Sequence, residues 1–299
     1  MSSEKLTGLV TKSIGGLYLT ETPVGIFECK ARGIFRKRNI SPAVGDRVTL
    51  DDVNGEKAVI SDILERKNYI IRPPLANLDV LIFVVSSCSP KPNYTLIDKF
   101  IAISAYKDIE NIIVVTKLDL EANSEIADIY SKAGIKIIEV DYSDENSYLK
   151  LLDMIKGKIC AFTGNTGVGK STLLNHLDDS LELRTGEISE KLGRGRHTTR
   201  HTELYKLKNG AYIADTPGFS TFDTNRYDII HKDKLELCFA EFQPYLTKCA
   251  FPDCAHISEK RCAVREAVDR GEISLSRYKS YCEMYEEAKN IKDWEVSKQ

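Results

Sequence analysis

The sequence predicts an α/β sheet domain flanked by a small all-β barrel before it and a helical segment after it. Three observations carry that reading. The first 65 or so residues are short strand-like runs punctuated by turns. From Val80 onward continuous apolar runs alternate with helix-like spacers. After about residue 225 strand character disappears. Alternating strand and helix argues for a sheet with helices on both faces. The expected boundaries are 1–67, 68–225 and 226–299.

The barrel strands are expected at Leu6–Thr11, Leu17–Thr20, Gly25–Lys30, Arg47–Asp51 and Ala58–Leu64. Gly15-Gly16, a basic run ending near Pro42, and Asn54-Gly55 separate them. Asn-Gly between apolar stretches signals a hairpin, because both residues accept positive φ. Five short strands suggest an OB-fold, with other small barrels compatible with the same count. In the α/β part, Val80–Val85, Ile112–Val115, Ile135–Val140 and Ile159–Phe162 read as buried parallel strands. Residues 94–107 carry Leu96, Ile97, Phe100, Ile101 and Ile103 on one broad helical face, and 121–133 and 146–156 are further helical spacers. The segments 231–242, 262–270 and 274–292 read as helices. No internal repeat interrupts this order.

The chain of 299 residues carries 42 Lys+Arg against 44 Asp+Glu, with 42% hydrophobic and 29% charged residues. That balance excludes global disorder and allows a sizeable core. No apolar run approaches the about 18 residues of a membrane span. Met1–Gly8 has no basic region followed by an apolar segment, so a cytoplasmic protein without a membrane partner is expected. Residues 1–72 hold 12 Lys+Arg and 9 Asp+Glu, leaving 30 against 35 for the remainder. Lys30, Arg32, Arg36, Lys37 and Arg38 place five cations within nine residues, an electrostatic footprint for RNA or else a solvated loop.

Gly164-Asn165-Thr166-Gly167-Val168-Gly169-Lys170-Ser171 has the form G-x-x-x-x-G-K-[ST], between an apolar strand and a helix-like stretch beginning at Thr172. The glycines let backbone amides converge on phosphate oxygens at a helix N-terminus. Lys170 would reach the β- and γ-phosphates and the Ser171 hydroxyl would ligate Mg²⁺. Asp215-Thr216-Pro217-Gly218 closes an apolar strand 45 residues beyond Lys170; Asp215 can hold magnesium through water and the Gly218 amide can contact the γ-phosphate. Between them, Gly193–Arg200 is a flexible basic segment in which a threonine can close over phosphate and magnesium.

Upstream stands Thr116-Lys117-Leu118-Asp119, at the end of a buried strand. Asp119 can accept two hydrogen bonds from the N1–H and N2–H₂ edge of guanine, which adenine cannot offer. The order is therefore base reader, phosphate loop, switch, Asp-x-x-Gly, a circular permutation of the usual GTPase arrangement. Near the C-terminus, Cys249-x₄-Cys254-x-His256-x₅-Cys262 has the ligand set of a closed, structural zinc site. Cys29, Cys88, Cys160, Cys238 and Cys282 lie apart from it, often inside apolar runs, and read as packing residues.

The permuted order, the Cys/His cluster and the N-terminal barrel together resemble the ribosome small-subunit-dependent GTPase A family. The resemblance spans essentially the whole chain, including Arg72-Pro73 and Asn77-x-Asp79 ahead of the first α/β strand. It implies an OB-fold, a circularly permuted P-loop GTPase domain and a C-terminal zinc domain. It also implies GTP hydrolysis to GDP and phosphate, stimulated by the small ribosomal subunit during its late maturation, with rRNA held by the flanking domains. A monomer is expected. By alignment with the family, Thr199 rather than Thr198 senses magnesium.

Two positions depart from common GTPase patterns. Thr116 stands where the family has Asn, and its hydroxyl makes only part of that amide's bonds. Phe219 follows Asp-x-x-Gly where many GTPases carry a water-orienting Gln. Slow intrinsic turnover is expected, with His197 the candidate to orient water or, alternatively, a contact to ribosomal phosphate or solvent. The stripe Leu275, Tyr278, Tyr281, Cys282, Tyr285 and Ala288 reads as core packing, while Arg277 and Lys279 offer RNA contacts as the alternative. Rival functions are a permuted GTPase serving another RNA–protein complex and an RNA-binding scaffold with a passive nucleotide sensor. Asp119 disfavours an ATPase.

Overall fold

The computed structural model describes residues 5–38, 40–71, 73–121, 124–178, 202–215 and 230–291, with backbone alone at Arg36 and Asp215. His197, Thr199 and Gly218 lie outside the described residues. The strands and helices begin with β1 (Leu6–Ile14), β2 (Leu17–Thr22), β3 (Gly25–Ala31), α1 (Ile34–Lys37), β4 (Arg47–Asn54), β5 (Lys57–Ile63), β6 (Tyr69–Ile70) and β7 (Leu75–Ala76). They continue with β8 (Val80–Ser86), α2 (Tyr94–Tyr106), β9 (Glu110–Thr116), α3 (Glu125–Ser131), β10 (Lys136–Glu139), α4 (Glu145–Ile155), β11 (Ile159–Thr163) and α5 (Lys170–Leu177). Strands β12 (Glu203–Lys206) and β13 (Tyr212–Asp215) follow. Two compact units result: Met1–Val80 with Leu152–Phe162 and Ser171–Phe222, and Leu81–Leu151 with Thr163–Lys170 and Asp223–Gln299.

In the first unit, β1 pairs antiparallel with β2 and with β4, β2 with β3, and β4 with β5, while β3 and β5 run parallel. The ring closes in the order β1-β2-β3-β5-β4, which is the OB-fold barrel. Strand β1 serves both neighbours: Leu6–Leu9 face β4 and Leu9–Ile14 face β2, with a register shift between Val10 and Lys12. Such a bulge bends one strand across two partners. Alternation along the strands sends Val10, Tyr18, Phe27, Cys29, Val48, Leu50 and Ile60 into one core. All five expected strands are present, and β1 and β4 run three residues longer than their apolar patterns. Part of the basic run forms α1 rather than a plain loop.

The same unit holds β11 parallel to β13, β13 antiparallel to β12, and β12 antiparallel to β1 at Lys12↔Glu203. A Lys12–Glu203 ion pair of 2.7 Å spans that junction. The four residues of β12 are each paired with β13, from Glu203↔Asp215 to Lys206↔Tyr212.

In the second unit β8 lies beside β9, and β9 pairs parallel with β10. All seven residues of β8 are buried, as a strand covered on both faces requires. Asn93 caps α2, its side-chain oxygen accepting from the Leu96 amide at 3.0 Å. Ile97, Phe100, Ile101 and Ile103 of α2 are buried as their spacing predicts, and so is Asp98.

The C-terminal part is helical at Lys232–Leu235, Ala263–Asp269 and Leu275–Lys289. The continuous helix expected over 231–242 does not form: 3₁₀ turns at Glu236–Cys238 and Ala240–Phe242 flank Phe239, whose backbone is extended at φ −109° and ψ 93°. The reason is Arg277. Its guanidinium lies 4.6 Å from the Phe239 ring centroid and 2.7 Å from Glu241 Oε1. Residues two apart in a helix point to different sides, so both contacts need the break.

Arg277 itself corrects the RNA alternative. It is 1% exposed, donates to Asp98 Oδ1 on α2 at 2.8 Å and grips Glu241 through two nitrogens. It is a packing residue that binds the C-terminal helix to α2. Lys99–Glu287 at 2.7 Å and Lys132 donating to the Gly271 carbonyl extend the same junction. Of the expected stripe, Tyr281 packs on Phe239 and Phe242 at centroid distances of 5.3 and 4.9 Å, Tyr278, Cys282 and Tyr285 pack against the same core and Ala288 is buried, whereas Leu275 is exposed.

Candidate nucleotide site and metal centre

The phosphate loop leaves β11 at Gly164, which only glycine fits. Its φ is +139°, and a Cβ there would stand 2.2 Å from the Val84 carbonyl oxygen. Gly167 and Gly169 also take positive φ, +84° and +94°. Val168 points inward and is buried, while Thr166 and Gly167 are exposed. Lys170 opens α5 and turns back over the loop, donating to the Gly164 and Asn165 carbonyls at 2.6 and 2.8 Å. Partial burial lowers the pKa of this ammonium, so a phosphate dianion placed beside it would restore its preference for the charged form. Ser171 and Thr172 follow on the exposed side of α5.

The base reader meets this loop through Thr116. Its hydroxyl is wholly buried, 2.6 Å from the Val168 carbonyl and 3.1 Å from that of Val85. Thr116 thus supports the phosphate loop. The next residue, Lys117, adopts φ +62° and swings the chain outward, so that Asp119 emerges exposed. The Lys117 ammonium donates to the Ser89 carbonyl at 2.5 Å, and its own carbonyl accepts from Ser87 Oγ at 2.8 Å. Leu118 is half-buried beneath the turn.

Thr116→Val removes the donor and leaves a buried carbonyl without its partner, a cost of about 1–3 kcal/mol. Titration with a fluorescent GDP analogue should show affinity reduced by roughly tenfold, since about 1.4 kcal/mol corresponds to one decade. Unaltered affinity would mean that the loop holds its shape without this bond.

Tyr142, which no sequence motif revealed, stands beside the candidate site. It lies in the loop after β10, as Asp119 lies in the loop after β9, and loops at the carboxyl ends of parallel strands are where such sheets bind ligands. Its hydroxyl lies 3.7 Å from where a Gly169 Cβ would be. Burial, and then the negative charge of Asp119, push the phenol up to about 12. Tyr142 is therefore a neutral hydroxyl next to both the base reader and the phosphate loop.

Asp215 ends β13. The parallel register sets Ala214 against Ala161 of β11, so Asp215 stands level with Phe162, two residues before Gly164.

The Cys/His cluster is assembled as its spacing predicts. The four ligand atoms of Cys249, Cys254, His256 and Cys262 all lie within 4.8 Å of one another. His256 Nδ1 is 3.6 Å from Cys249 Sγ and 3.3 Å from Cys262 Sγ. A tetrahedral zinc ion with ordinary Zn–N and Zn–S bonds would separate such atoms by about 3.5 Å, so the donors fit the metal. Burial raises the Cys254 and Cys262 thiol pKa, and a divalent cation is what would hold them as thiolates.

The other imidazole nitrogen, Nε2, is 2.9 Å from Glu236 Oε2, an arrangement that aims Nδ1 at the sulfurs. Glu236 carried no signal in the sequence, being 20 residues from its histidine. Tyr278 and Tyr281 donate to the His256 and Ala255 carbonyls at 2.8 and 2.9 Å and pin the ligand loop to the last helix. Of the five remaining cysteines, Cys29, Cys160 and Cys238 are buried, whereas Cys88 and Cys282 are half-buried.

A family profile described as the RsgA GTPase matches residues 63–225, and one described as the RsgA N-terminal domain matches residues 7–60. This chain belongs to the RsgA GTPase family. It is accordingly a GTP hydrolase with a circularly permuted P-loop domain, an N-terminal OB barrel and a C-terminal helical part bearing a Cys₃His cluster. A protein of Ruminiclostridium cellulolyticum named small ribosomal subunit biogenesis GTPase RsgA is 41% identical over 297 residues, covering 97% of this chain and 96% of the relative. The crystal structure of YjeQ from Thermotoga maritima superposes with TM-score 0.81 at 32% identity, covering 97% of this chain and all of the other. That of YloQ, described as a circularly permuted GTPase, gives 0.79 at 30% identity and covers 97% of each chain.

Proposed function

We propose that this chain hydrolyses GTP in response to the small ribosomal subunit and acts in the late maturation of that subunit. The observation that carries the nucleotide chemistry is the Thr116–Val168 hydrogen bond, which ties the base reader to the phosphate loop across the permuted order. The relative's name as a small ribosomal subunit biogenesis GTPase, at 41% identity, supports the choice of partner.

In this reading Asp119 selects guanine, with Thr116, Lys117 and Leu118 shaping its loop. Gly164 to Gly169 surround the phosphates, Lys170 neutralises the β- and γ-oxygens, and Thr172 continues the loop into α5. The Gly218 amide reads the γ-phosphate. Ser171, Asp215 and Thr199 would hold magnesium, which would supply positive charge to offset the negative charge that develops on the phosphates. Catalysis is positioning plus electrostatics, and His197 orients the attacking water when the small subunit is bound. Cys249, Cys254, His256 and Cys262 would hold one structural zinc.

The functional parts are 1–67 for RNA binding through the barrel, 68–225 for GTP, and 226–299 for the zinc centre. Lys30, Arg32, Arg36, Lys37 and Arg38 contact rRNA. The chain works as a monomer in the cytoplasm. Among the described residues no helix is long and apolar enough to cross a membrane.

Phosphate release from GTP and from ATP, with and without purified small subunits, tests this reading. Stimulation of at least about tenfold, confined to GTP, is expected, by analogy with the larger gains partners give other GTPases. Equal rates with and without subunits, at full GTP occupancy, would move the function to a scaffold or another RNA–protein complex. His197→Ala should abolish the stimulated rate while GTP affinity stays unchanged; a retained stimulated rate removes His197 from the chemistry.

A further inference from the structure

An asparagine at position 116 would bring two amide protons to the junction of base reader and phosphate loop, whereas threonine brings one hydroxyl proton. The Thr116 proton is committed to carbonyls: its hydroxyl lies 2.6 Å from that of Val168 and 3.1 Å from that of Val85. None is left for a base. Asp119 cannot make up the difference, because a carboxylate only accepts. Guanine presents acceptors as well as donors, at O6 and N7. That acceptor edge calls for a donor from elsewhere in the site.

Tyr142 carries a donor at that place. Parallel pairing sets Val115 of β9 against Glu139 of β10, so Asp119 and Tyr142 stand in neighbouring loops at the carboxyl ends of the two strands. The Tyr142 and Thr116 hydroxyls reach the same point of the phosphate loop, 3.7 and 3.6 Å from where a Gly169 Cβ would be. Burial, and then the charge of Asp119, push the phenol up to about 12, so it keeps its proton at neutral pH. Around guanine the order from the amino group is N2, N1, O6, N7 and C8, and C8 adjoins the nitrogen that carries the sugar and phosphates. A donor between Asp119 and Gly169 faces the middle of that series, and its closeness to Gly169 favours N7.

We infer that the Tyr142 hydroxyl donates to N7 of the bound guanine and so supplies the base contact that threonine at position 116 does not. The inference rests on the reading of Asp119 as the guanine reader and adds a second side chain to that site. Its contribution is to affinity. Adenine offers an N7 too, so selection between the purines stays with Asp119.

The test is a set of competition titrations of the full chain against a fluorescent GDP analogue, with GDP, 7-deaza-GDP and IDP as competitors. In 7-deaza-GDP a C–H replaces N7, and IDP lacks only the 2-amino group assigned to Asp119. The natural chain should bind 7-deaza-GDP about fivefold more weakly than GDP, the scale of one net neutral hydrogen bond. Tyr142→Phe keeps the ring and removes the hydroxyl. It should bind GDP about fivefold more weakly, show no further loss with 7-deaza-GDP, and keep the natural ratio between GDP and IDP.

Equal losses for GDP and 7-deaza-GDP in Tyr142→Phe would overturn the contact and leave the phenol as a prop for Gly169. So would tighter GDP binding by Tyr142→Ala, because the ring would then occupy the seat of the base. Equal affinities of the natural chain for GDP and 7-deaza-GDP would also overturn it, and with IDP still weaker the Asp119 reading would stand. Equal affinities for GDP and IDP would remove the Asp119 reading and this inference with it.

Discussion

Removal of metal from the Cys249, Cys254, His256 and Cys262 cluster is expected to unfold the C-terminal helical part. Cys254, Cys262 and His256 are buried in the same core as Phe239, Phe242 and Tyr281, so the ligand loop cannot relax without opening that core. His256 and Arg261 both hold left-handed backbone, φ +59° and +58°, which side-chain-bearing residues adopt only where their surroundings enforce it. Apparent binding free energies of structural zinc run to about 10–16 kcal/mol, more than a small helical segment gains from its own packing.

Purified protein should contain one zinc per chain. A strong chelator should remove helical circular dichroism and hydrogen-exchange protection over 263–289, with protection of β8 to β10 retained. Cys262→Ser should reproduce that loss without chelator. Full protection over 263–289 in zinc-free protein would show that the core needs no metal. Glu236→Gln should leave the fold intact and speed zinc transfer to a chelator by about tenfold, the usual scale for outer-shell partners of zinc-bound histidine.

Arg277→Ala is expected to destabilise the chain by about 3–5 kcal/mol. The substitution leaves Asp98 and Glu241, both buried, without the cation that neutralises them. It also removes the guanidinium packed on Phe239 and opens space between α2 and the last helix. The melting temperature should fall by on the order of 10 °C for a unit of this size. The lesion is specific to uncompensated charge. Combining Arg277→Met with Asp98→Asn and Glu241→Gln should therefore recover a large part of the loss. If the triple variant melts no higher than Arg277→Ala, the ion network is not what holds these helices together.

The phosphate loop and the Cys/His cluster were legible in the sequence to different depths. The phosphate loop is local: eight consecutive residues and the strand before them specify it, because its glycines and lysine act on one bound group. The Cys/His ligands lie within 14 residues, and the loop they share needs little from the rest of the chain to bring them together. The five barrel strands were visible as alternation, because each strand buries one face.

Support residues were not visible. Tyr142 belongs to no motif, and only its place after β10 brings it to Gly169 and Asp119. Glu236 lies in a stretch whose spacing reads as helix and whose helix is broken to let Phe239 and Glu241 meet one arginine. In the sequence Arg277 read as a cation beside the core stripe, available to RNA, and its charge and its helical position point to opposite environments. Burial chose between them, because Asp98 and Glu241 were already placed inside.

The amino-acid sequence by itself determined the permuted motif order, the barrel–sheet–helix succession, the phosphate-loop motif and the four clustered Cys and His donors. Each of these depends on side-chain chemistry acting over a turn, a strand or a single loop. Tertiary structure alone decided that the Thr116 hydroxyl supports a carbonyl 52 residues away, and that Arg277 meets Asp98 across 179 residues. It also decided the parallel pairing of β3 with β5 that closes the barrel. A hydrogen bond or ion pair leaves no periodic trace in sequence when its partners are brought together only by the packing of other elements.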